Sequence, residues 1–458
     1  MNLPKEYKDY LLRHWKQEDV EVLLQGLEAP PTVSIRLNPN RLPPSAEPTG
    51  ADGCVPWCPE GIYLKERPAF TADPLLHAGA YYVQEASSMF LAHVLRQLLF
   101  QDSSFRFQDS PSMERLFEPS AGFKFQVENA LDLCAAPGGK STLLRSLLPD
   151  DCLLVANEPI RNRAQVLAEN LAKWGHPNVL VTQAKAAEIA NFIEQKGKAF
   201  DLILTDVPCS GEGMFRKEPE AVRQWSPAFV AECAALQRSI VQDIWPALRP
   251  GGYLIYSTCT FNPEEDEQNV EWIAHELGAT VLPVPTDPTW NIRGDLRTTA
   301  SPVPCYHFLP GLVRGEGFFL ALLQKDDSSK THQKLIKNSK NALSIGDFST
   351  THQKLIKNSS KAPKNAHSIE TFNTLPTNLL DEPGVPQVEL SLPDAVRYLQ
   401  RESLILPPET PRGHVQVCFL GQRLGLMNNL GSRANNLYPK EWRIRSGHIE
   451  AATLFPTE

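Results

Sequence analysis

The sequence predicts an α/β fold with a parallel, doubly wound sheet in the middle of the chain, and three observations carry that reading. Short apolar runs recur from residue 129: NALDLCAA (129–136), CLLVANE (152–158), NVLVTQA (178–184), FDLILTD (200–206) and GGYLIYST (251–258). Amphipathic stretches of helical length separate them, such as 160–175 and 227–251, and another, 263–278, follows the last run. Strands buried on both faces read as continuous apolar runs, and their alternation with helices marks a parallel sheet. Third, the first run ends in a Pro-Gly-Gly turn and two later ones end beside a cysteine, which is where parallel sheets bind ligands. GEGFFLALLQ (315–324) is expected to add an antiparallel strand.

The flanking regions are read in the same way. Residues 1–125 form an N-terminal α+β region: helical periodicity over 4–27 ending near Gly26, a strand at 32–38, a helix at 84–99, and an inserted loop at 100–125 in which FQDS occurs twice. Residues 126–325 form the doubly wound domain. Residues 326–380 form a linker in which THQKLIKNS appears at 331–339 and again at 351–359. Between 325 and 364 it carries nine Lys against three Asp/Glu, too little apolar content for a core and a composition suited to a solvated tether. Residues 381–458 form a small C-terminal module. Its Arg412, Arg423, Arg433, Lys440, Arg443 and Arg445 are interleaved with Phe419, Tyr438 and Trp442, which suits phosphates and stacked bases.

A net charge of -8 over 458 residues excludes a general polyanion binder, so any nucleic-acid surface is local. No run of 18 apolar residues suggests a membrane span, and the charged start MNLPKEYKDYLLRHW lacks a signal-peptide core. A cytoplasmic location is the expectation. Nine scattered cysteines without an export signal argue against a disulfide framework, and Cys54 and Cys58 lack a second pair at zinc spacing, so no metal is expected.

Three stretches carry chemistry. LDLCAAPGGKST (131–142) joins a strand to a helix through glycines that let backbone approach a ligand. It is neither GxGxxG nor a P-loop. Glu158, ending the second strand about 20 residues on, is placed for ribose hydroxyls, so a nucleoside cofactor is implied. TDVPCSGEGMF (205–215) and YSTCTFNPEEDE (256–267) end the next two strands and bring Asp206, Cys209 and Cys259 to one edge. Isolated buried cysteines are usually inert; two at consecutive strand ends are less easily so explained. The acidic run after Cys259 is expected to be the first turn of a helix.

Together LDLCAAPGGKST, NEP with Arg163, DVPCSGEGMFRK and YSTCTFNPEEDE resemble the Nop/Sun-type family of RNA cytosine-5 methyltransferases. HAGAYYVQEASSM (77–89) is similar to the segment preceding the catalytic domain there, and GLMNNLGSRANNLYPKEWRIR (425–445) resembles the C-terminal, PUA-like RNA-binding module of RsmF-type bacterial members. The resemblance implies a Rossmann-like methyltransferase domain binding S-adenosyl-L-methionine against Cys134, Ala135, Ala136, Pro137, Gly138, Gly139 and Lys140. Glu158 would bind the ribose and Arg163 would help hold the cofactor. Asp206 would contact both cofactor and cytosine, Lys140 would reach the active site, Cys259 would be the nucleophile, and Cys209 would assist release. One departure stands out: where the family carries an Asp after the third strand to read adenine, the place falls on Lys185 or a neighbour here, and Lys accepts no hydrogen bond. Backbone groups or Glu188 are the alternatives.

The expected activity is C5 methylation of cytosine in RNA, with 16S ribosomal RNA, free or in the small subunit, as substrate and the enzyme a monomer. A tRNA substrate, a DNA cytosine-5 methyltransferase with Cys209 as nucleophile, and a ribosome-assembly protein that has lost catalysis are the rivals.

Overall fold

The computed structural model describes residues 3–43, 45–100, 125–298, 301–327, 384–445 and 450–456. The FQDS repeat and the tandem THQKLIKNS repeat lie outside the described residues. Among those described, no helix is long and apolar enough to cross a membrane.

The N-terminal periodicity resolves into two helices, α1 (Tyr7–Leu12) and α2 (Gln17–Glu28). The chain breaks between them, where buried Trp15 bridges to Arg297. Gly26 is not a stop signal. It lies inside α2, and a Cβ there would sit 2.1 Å from the Pro310 carbonyl, so the glycine serves a close approach. The sheet that follows comprises β1 (Val33–Leu37), β2 (Ala51–Val55), β3 (Cys58–Leu64) and, after the short α3 (Pro74–His77), β4 (Tyr81–Val83). It is antiparallel, in the order β2-β3-β1-β4. The helix expected over 84–99 becomes a 3₁₀ turn and then α4 (Phe90–Leu99). Its late start has a local cause: the Glu85 carboxylate accepts the amides of Ser87 and Ser88, both at 2.9 Å, and closes a tight turn ahead of the helix.

The central sheet uses β5 (Asn129–Asp132), β6 (Leu153–Asn157), β7 (Val179–Thr182), β8 (Phe200–Asp206), β9 (Leu248–Thr258), β10 (Ala279–Leu282), β11 (Tyr306–Phe308) and β12 (Phe318–Lys325). Its order is β10-β12-β9-β8-β5-β6-β7, with β11 also on β12. The five strands from β7 to β9 are parallel; β12 joins antiparallel, as the sequence predicts. Strands β10 and β11, four and three residues long, are too short to show a period and escape a sequence reading.

Helices α5 (Gly139–Leu147) and α6 (Arg161–Trp174) join α4 on one face, burying Leu143, Leu144, Leu167 and Leu171 against the strands. Helix α7 (Ala186–Gln195) covers the other face, with α9 (Pro227–Ile244), which follows the short α8 (Pro219–Gln224), and α10 (Glu267–Leu277). Each such fully buried Leu or Ile contributes roughly 1.5–3 kcal/mol. The chain moves outward from β5 to β6 and β7, then returns to place β8 on the other side of β5. That reversal opens a crevice at the carboxyl ends of β5 and β8.

The C-terminal module is a sheet in the order β13 (Gln387–Glu389), β14 (Gly413–Phe419), β15 (Gln422–Asn429), β16 (Ala434–Asn436), with α11 (Leu392–Leu399) packed on it. It shares one apolar core with the N-terminal sheet, where Ile35, Leu37 and Tyr81 cluster with Leu399, Val415 and Met427. Gln422 Nε2 donates to Arg41 O at 2.7 Å, and Leu454 N to Asp73 Oδ2 at 3.0 Å. The expected base-stacking surface is corrected in part. Phe419 and Tyr438 are only 2% and 1% exposed, because a module this small spends its large rings on its core. Trp442 is half-buried against Tyr438, while Arg412, Arg433, Lys440, Arg443 and Arg445 remain exposed.

Candidate active site

Strands β8 and β9 are parallel neighbours with Asp206 opposite Ser257, so the loops leaving them run side by side. Ser257 Oγ donates to Asp206 Oδ1 at 2.8 Å. From the first turn of α5, Lys140 Nζ donates to Asp206 Oδ2, also at 2.8 Å. Burial opposes the Lys140 charge, but Asp206 more than offsets this and holds the ammonium above its ordinary range. Cys209 and Cys259, 50 residues apart, meet with their sulfurs 3.1 Å apart. Contact with Cys259, then burial, pushes the Cys209 thiol well up. The four residues expected to do chemistry thus stand together: Lys140 bonded to Asp206, and the two thiols on the loops that follow β8 and β9.

What holds the loops is the acidic run, and here the sequence expectation is corrected. Helix α10 begins only at Glu267, so of the run Glu265–Glu267 just the last residue belongs to its first turn, and all three are fully buried. Each has a protein partner, although Asp266 Oδ2 and Glu267 Oε2 have none among the described residues. Asp266 accepts from Thr258 Oγ1 at 2.6 Å; Glu267 accepts from Leu296 N at 3.1 Å and contacts His307 Nε2 at 3.0 Å. Glu265 accepts from Ser210 N, Asn262 Nδ2 and Gln237 Nε2 at 3.0, 2.7 and 2.6 Å. Burial pushes Glu265 up to about 7 and Asp266 well up too. Spacing alone gave no sign of this, since a helix N-terminus and a buried network carry the same letters. The Thr260 hydroxyl pairs with Ser210 Oγ at 3.0 Å.

On the other side of the crevice, Gly138 has φ +113°, the left-handed region that favours glycine, and its amide plane turns the chain into α5. The turn 134–140 packs under Asn170 and Tyr82, whose side chains donate to Pro137 O at 2.7 and 3.2 Å. The Ala135 amide is already taken by Asn157 O at 2.8 Å, so that residue of the expected cofactor set offers no free amide. Glu158 is 1% exposed and lies 3.4 Å from Arg163 Nη2, which also donates to Ala136 O at 3.2 Å. Arg163 therefore ties the second strand's end to the turn. Asp132, which sequence reasoning did not single out, ends β5 fully buried. Burial raises it to about 7; Ser141 Oγ donates to one oxygen at 2.6 Å, and the other has no partner. Its signal was available, as an acid ending the strand before the glycine turn. Lys185 and Glu188 are exposed at the start of α7, and the Glu188 carboxylate accepts the Lys185 amide at 2.7 Å. Glu188 is thus already engaged in capping its own helix.

Three family models match the chain: the N-terminal domain of 16S rRNA methyltransferase RsmF over 3–86, 16S rRNA methyltransferase RsmB/F over 124–324, and the methyltransferase RsmF PUA domain over 385–444. Ribosomal RNA small subunit methyltransferase F of Klebsiella pneumoniae (strain 342) is 34% identical over 276 residues, 59% of this chain and 51% of that one. Its counterpart in Pectobacterium carotovorum subsp. carotovorum (strain PC1) is 31% identical over 342 residues, 71% and 63% of the two chains. The chain spans about half the length of most of these curated relatives. In fold it is similar to a methyltransferase homolog from Pyrococcus horikoshii, with TM-score 0.53, 24% identity, and coverage of 70% of this chain and 100% of that one. NSun6 from the same organism, solved with SFG, gives TM-score 0.52 at 20% identity over 70% and 98%. With all three domain types in order along one chain, and the glycine turn and paired cysteines at the edge of its central sheet, the protein belongs to the RsmF-type branch of the Nop/Sun methyltransferase family.

Proposed function

We propose that this protein methylates C5 of cytosine in RNA, with 16S ribosomal RNA as substrate, using S-adenosyl-L-methionine in the cytoplasm. The observation that carries the reading is the meeting of two thiols, 3.1 Å apart, beside the Asp206–Lys140 pair at the edge of a Rossmann-like crevice. The cofactor fits the groups present. A left-handed glycine opens the turn at 138, a buried carboxylate with an unpartnered oxygen stands at Asp132, and Glu158 ends the next strand. Glu158 and Arg163 would hold the ribose side, and the acids at this edge suit a sulfonium cation. The cofactor supplies an electrophilic methyl group.

The chain's own residues supply the rest. C5 of cytosine is a poor nucleophile until a thiolate adds to C6 and makes C5 enamine-like. Cysteine suits that task because it is strongly nucleophilic and leaves readily. Cys259 adds to C6, while Asp206, steadied by Lys140 and Ser257, hydrogen-bonds the base around N3 and N4 and stabilises the adduct. In the final step water takes the C5 proton, the C5–H electron pair re-forms the ring double bond as the Cys259–C6 bond breaks, and Cys209, as a thiol 3.1 Å away, donates its proton to the departing Cys259 sulfur. A paired cytosine hides C6, so the target is unpaired or flipped out. The exposed basic residues of the C-terminal module are suited to grip the surrounding phosphates.

The test separates the thiols. Cys259→Ala abolishes both methylation of 16S ribosomal RNA and covalent RNA capture, whereas Cys209→Ala accumulates a protein–RNA complex that survives a denaturing gel. The reverse pattern assigns the nucleophile to Cys209. Capture of 5-azacytosine DNA but not RNA, or no binding of S-adenosylmethionine in calorimetry, overturns the reading.

A further inference from the structure

The loops bearing the two thiols are stapled to each other by an exchange of carboxylates. Glu212, from the Cys209 loop, accepts Phe261 N of the Cys259 loop at 2.8 Å; Glu265, from the Cys259 loop, accepts Ser210 N of the Cys209 loop at 3.0 Å. Asn262 Nδ2 lies between the two acids, at 3.2 and 2.7 Å. Gln237 Nε2 extends the clasp to the other side of Cys209, donating to both Pro208 O and Glu265 at 2.9 and 2.6 Å. The Gly213 amide donates to Cys259 O at 2.8 Å. A Cβ at Gly213 would sit 2.8 Å from that same oxygen and 2.7 Å from Gly317, so the loops pack without slack.

The two carboxylates are fully buried, and no ion pair among the described residues involves either. A buried acid without a cation costs stability unless neutral donors satisfy it. Glu265 has three such donors, and two of them flank Cys209. Its charge acts on Cys209, whereas that of Lys140 acts on Cys259. The ionisable groups that face Glu265 are Glu212, Cys209, Cys233, Asp266, Tyr256 and Tyr10. All are neutral or anionic, so the clasp surrounds Cys209 with groups that disfavour a thiolate while Cys259 lies toward the cation.

We propose that Glu265 is a positioning residue for the release half of the reaction, holding Cys209 in register with Cys259 through the Ser210 amide and the Gln237–Pro208 bridge. This rests on the catalytic reading above. Glu265 is fully buried behind the two loops, so in this reading its effect on the reaction passes through the placing of Cys209. Loss of the clasp leaves attack by Cys259 intact and slows its expulsion, giving a milder form of the Cys209→Ala behaviour. A merely structural acid would instead weaken every step alike.

The experiment uses the full chain, S-adenosylmethionine, and both free 16S ribosomal RNA and small subunits from cells lacking the protein. Glu265→Gln is expected to lower kcat about tenfold with KM for both substrates within about twofold, and to raise the covalently trapped fraction several-fold. Glu265→Asp, a carboxylate one methylene shorter, should recover part of the rate. Wild-type turnover in Glu265→Gln overturns the proposal, as does a slow variant without trapped complex. Should that variant fail to fold, Gln237→Ala removes the bridge between Pro208 and Glu265, together with the bonds Gln237 accepts from Tyr256 and Asn269, and trapping there supports the role while its absence overturns it. Wild type with 5-azacytosine RNA runs alongside: no capture there is a failure of the catalytic reading, distinct from a failure of this one.

Discussion

The two sides of the crevice solve opposite problems. On the β5–β7 side, charge is paired or exposed: Arg163 is an exposed residue facing buried Glu158, Lys185 lies in solvent, and Asp132 keeps one oxygen without a partner. On the β8–β9 side Glu212 and Glu265 are buried with both oxygens bonded to backbone amides, an indole N–H or carboxamides, while Asp266 beside them keeps an oxygen, Oδ2, without a partner among the described residues. A surface that admits and releases a ligand keeps groups uncommitted; a pair of thiols that must stay in register is set in a saturated network. On the proposed reading, similar acidic letters serve binding on one side and rigidity on the other.

Breaking the junction between the two sides should have the largest effect. Lys140→Met leaves Asp206 without its cation, and kcat is expected to fall about a hundredfold or more, read by methyl incorporation into RNA, with S-adenosylmethionine affinity changed far less. A second change tests the saturated side alone. Burial holds Glu265 near 7 when folded against an ordinary value of 4.5. The folded state therefore binds more protons than the unfolded chain between those values, and Glu265's contribution to stability is present at pH 4.5 and lost as pH rises through 7. Wild type should gain up to about 3 kcal/mol relative to Glu265→Gln between about pH 7.5 and 4.5, read from denaturant midpoints. Taking the difference cancels Asp132, which titrates with the same sign.

The open side should answer more gently. Glu158→Gln is expected to weaken S-adenosylmethionine binding about tenfold by calorimetry, with covalent capture of 5-azacytosine RNA retained. The smallest change is Lys185→Asp, which places an acceptor where the resemblance implies adenine is read and should tighten cofactor binding a few-fold. No change there would mean that backbone groups already hold the adenine.

Much of the fold was legible because it rests on local pattern. Apolar runs at 200–206 and 153–157 could bury both faces only in a parallel sheet, and the antiparallel last strand followed from its position. Strands β10 and β11 were not legible, since three or four residues carry no period. Lys140, Asp206, Cys209 and Cys259 could be brought to one edge from strand order alone.

By itself, the sequence determined the alternation of strands and helices, the glycine turn, and the arrival of two cysteines at neighbouring strand ends, because these follow from period and order along the chain. Only the tertiary structure decided that Phe419 and Tyr438 are core, that the C-terminal module shares its core with the N-terminal sheet, and that NPEEDE is a buried clasp. Those outcomes depend on which distant donors come within reach. Ser210, Gln237 and Thr258 reach the acids only once β8, β9 and α9 have packed. A carboxylate's role is set by its partners, and partners brought together by packing leave no trace in local spacing.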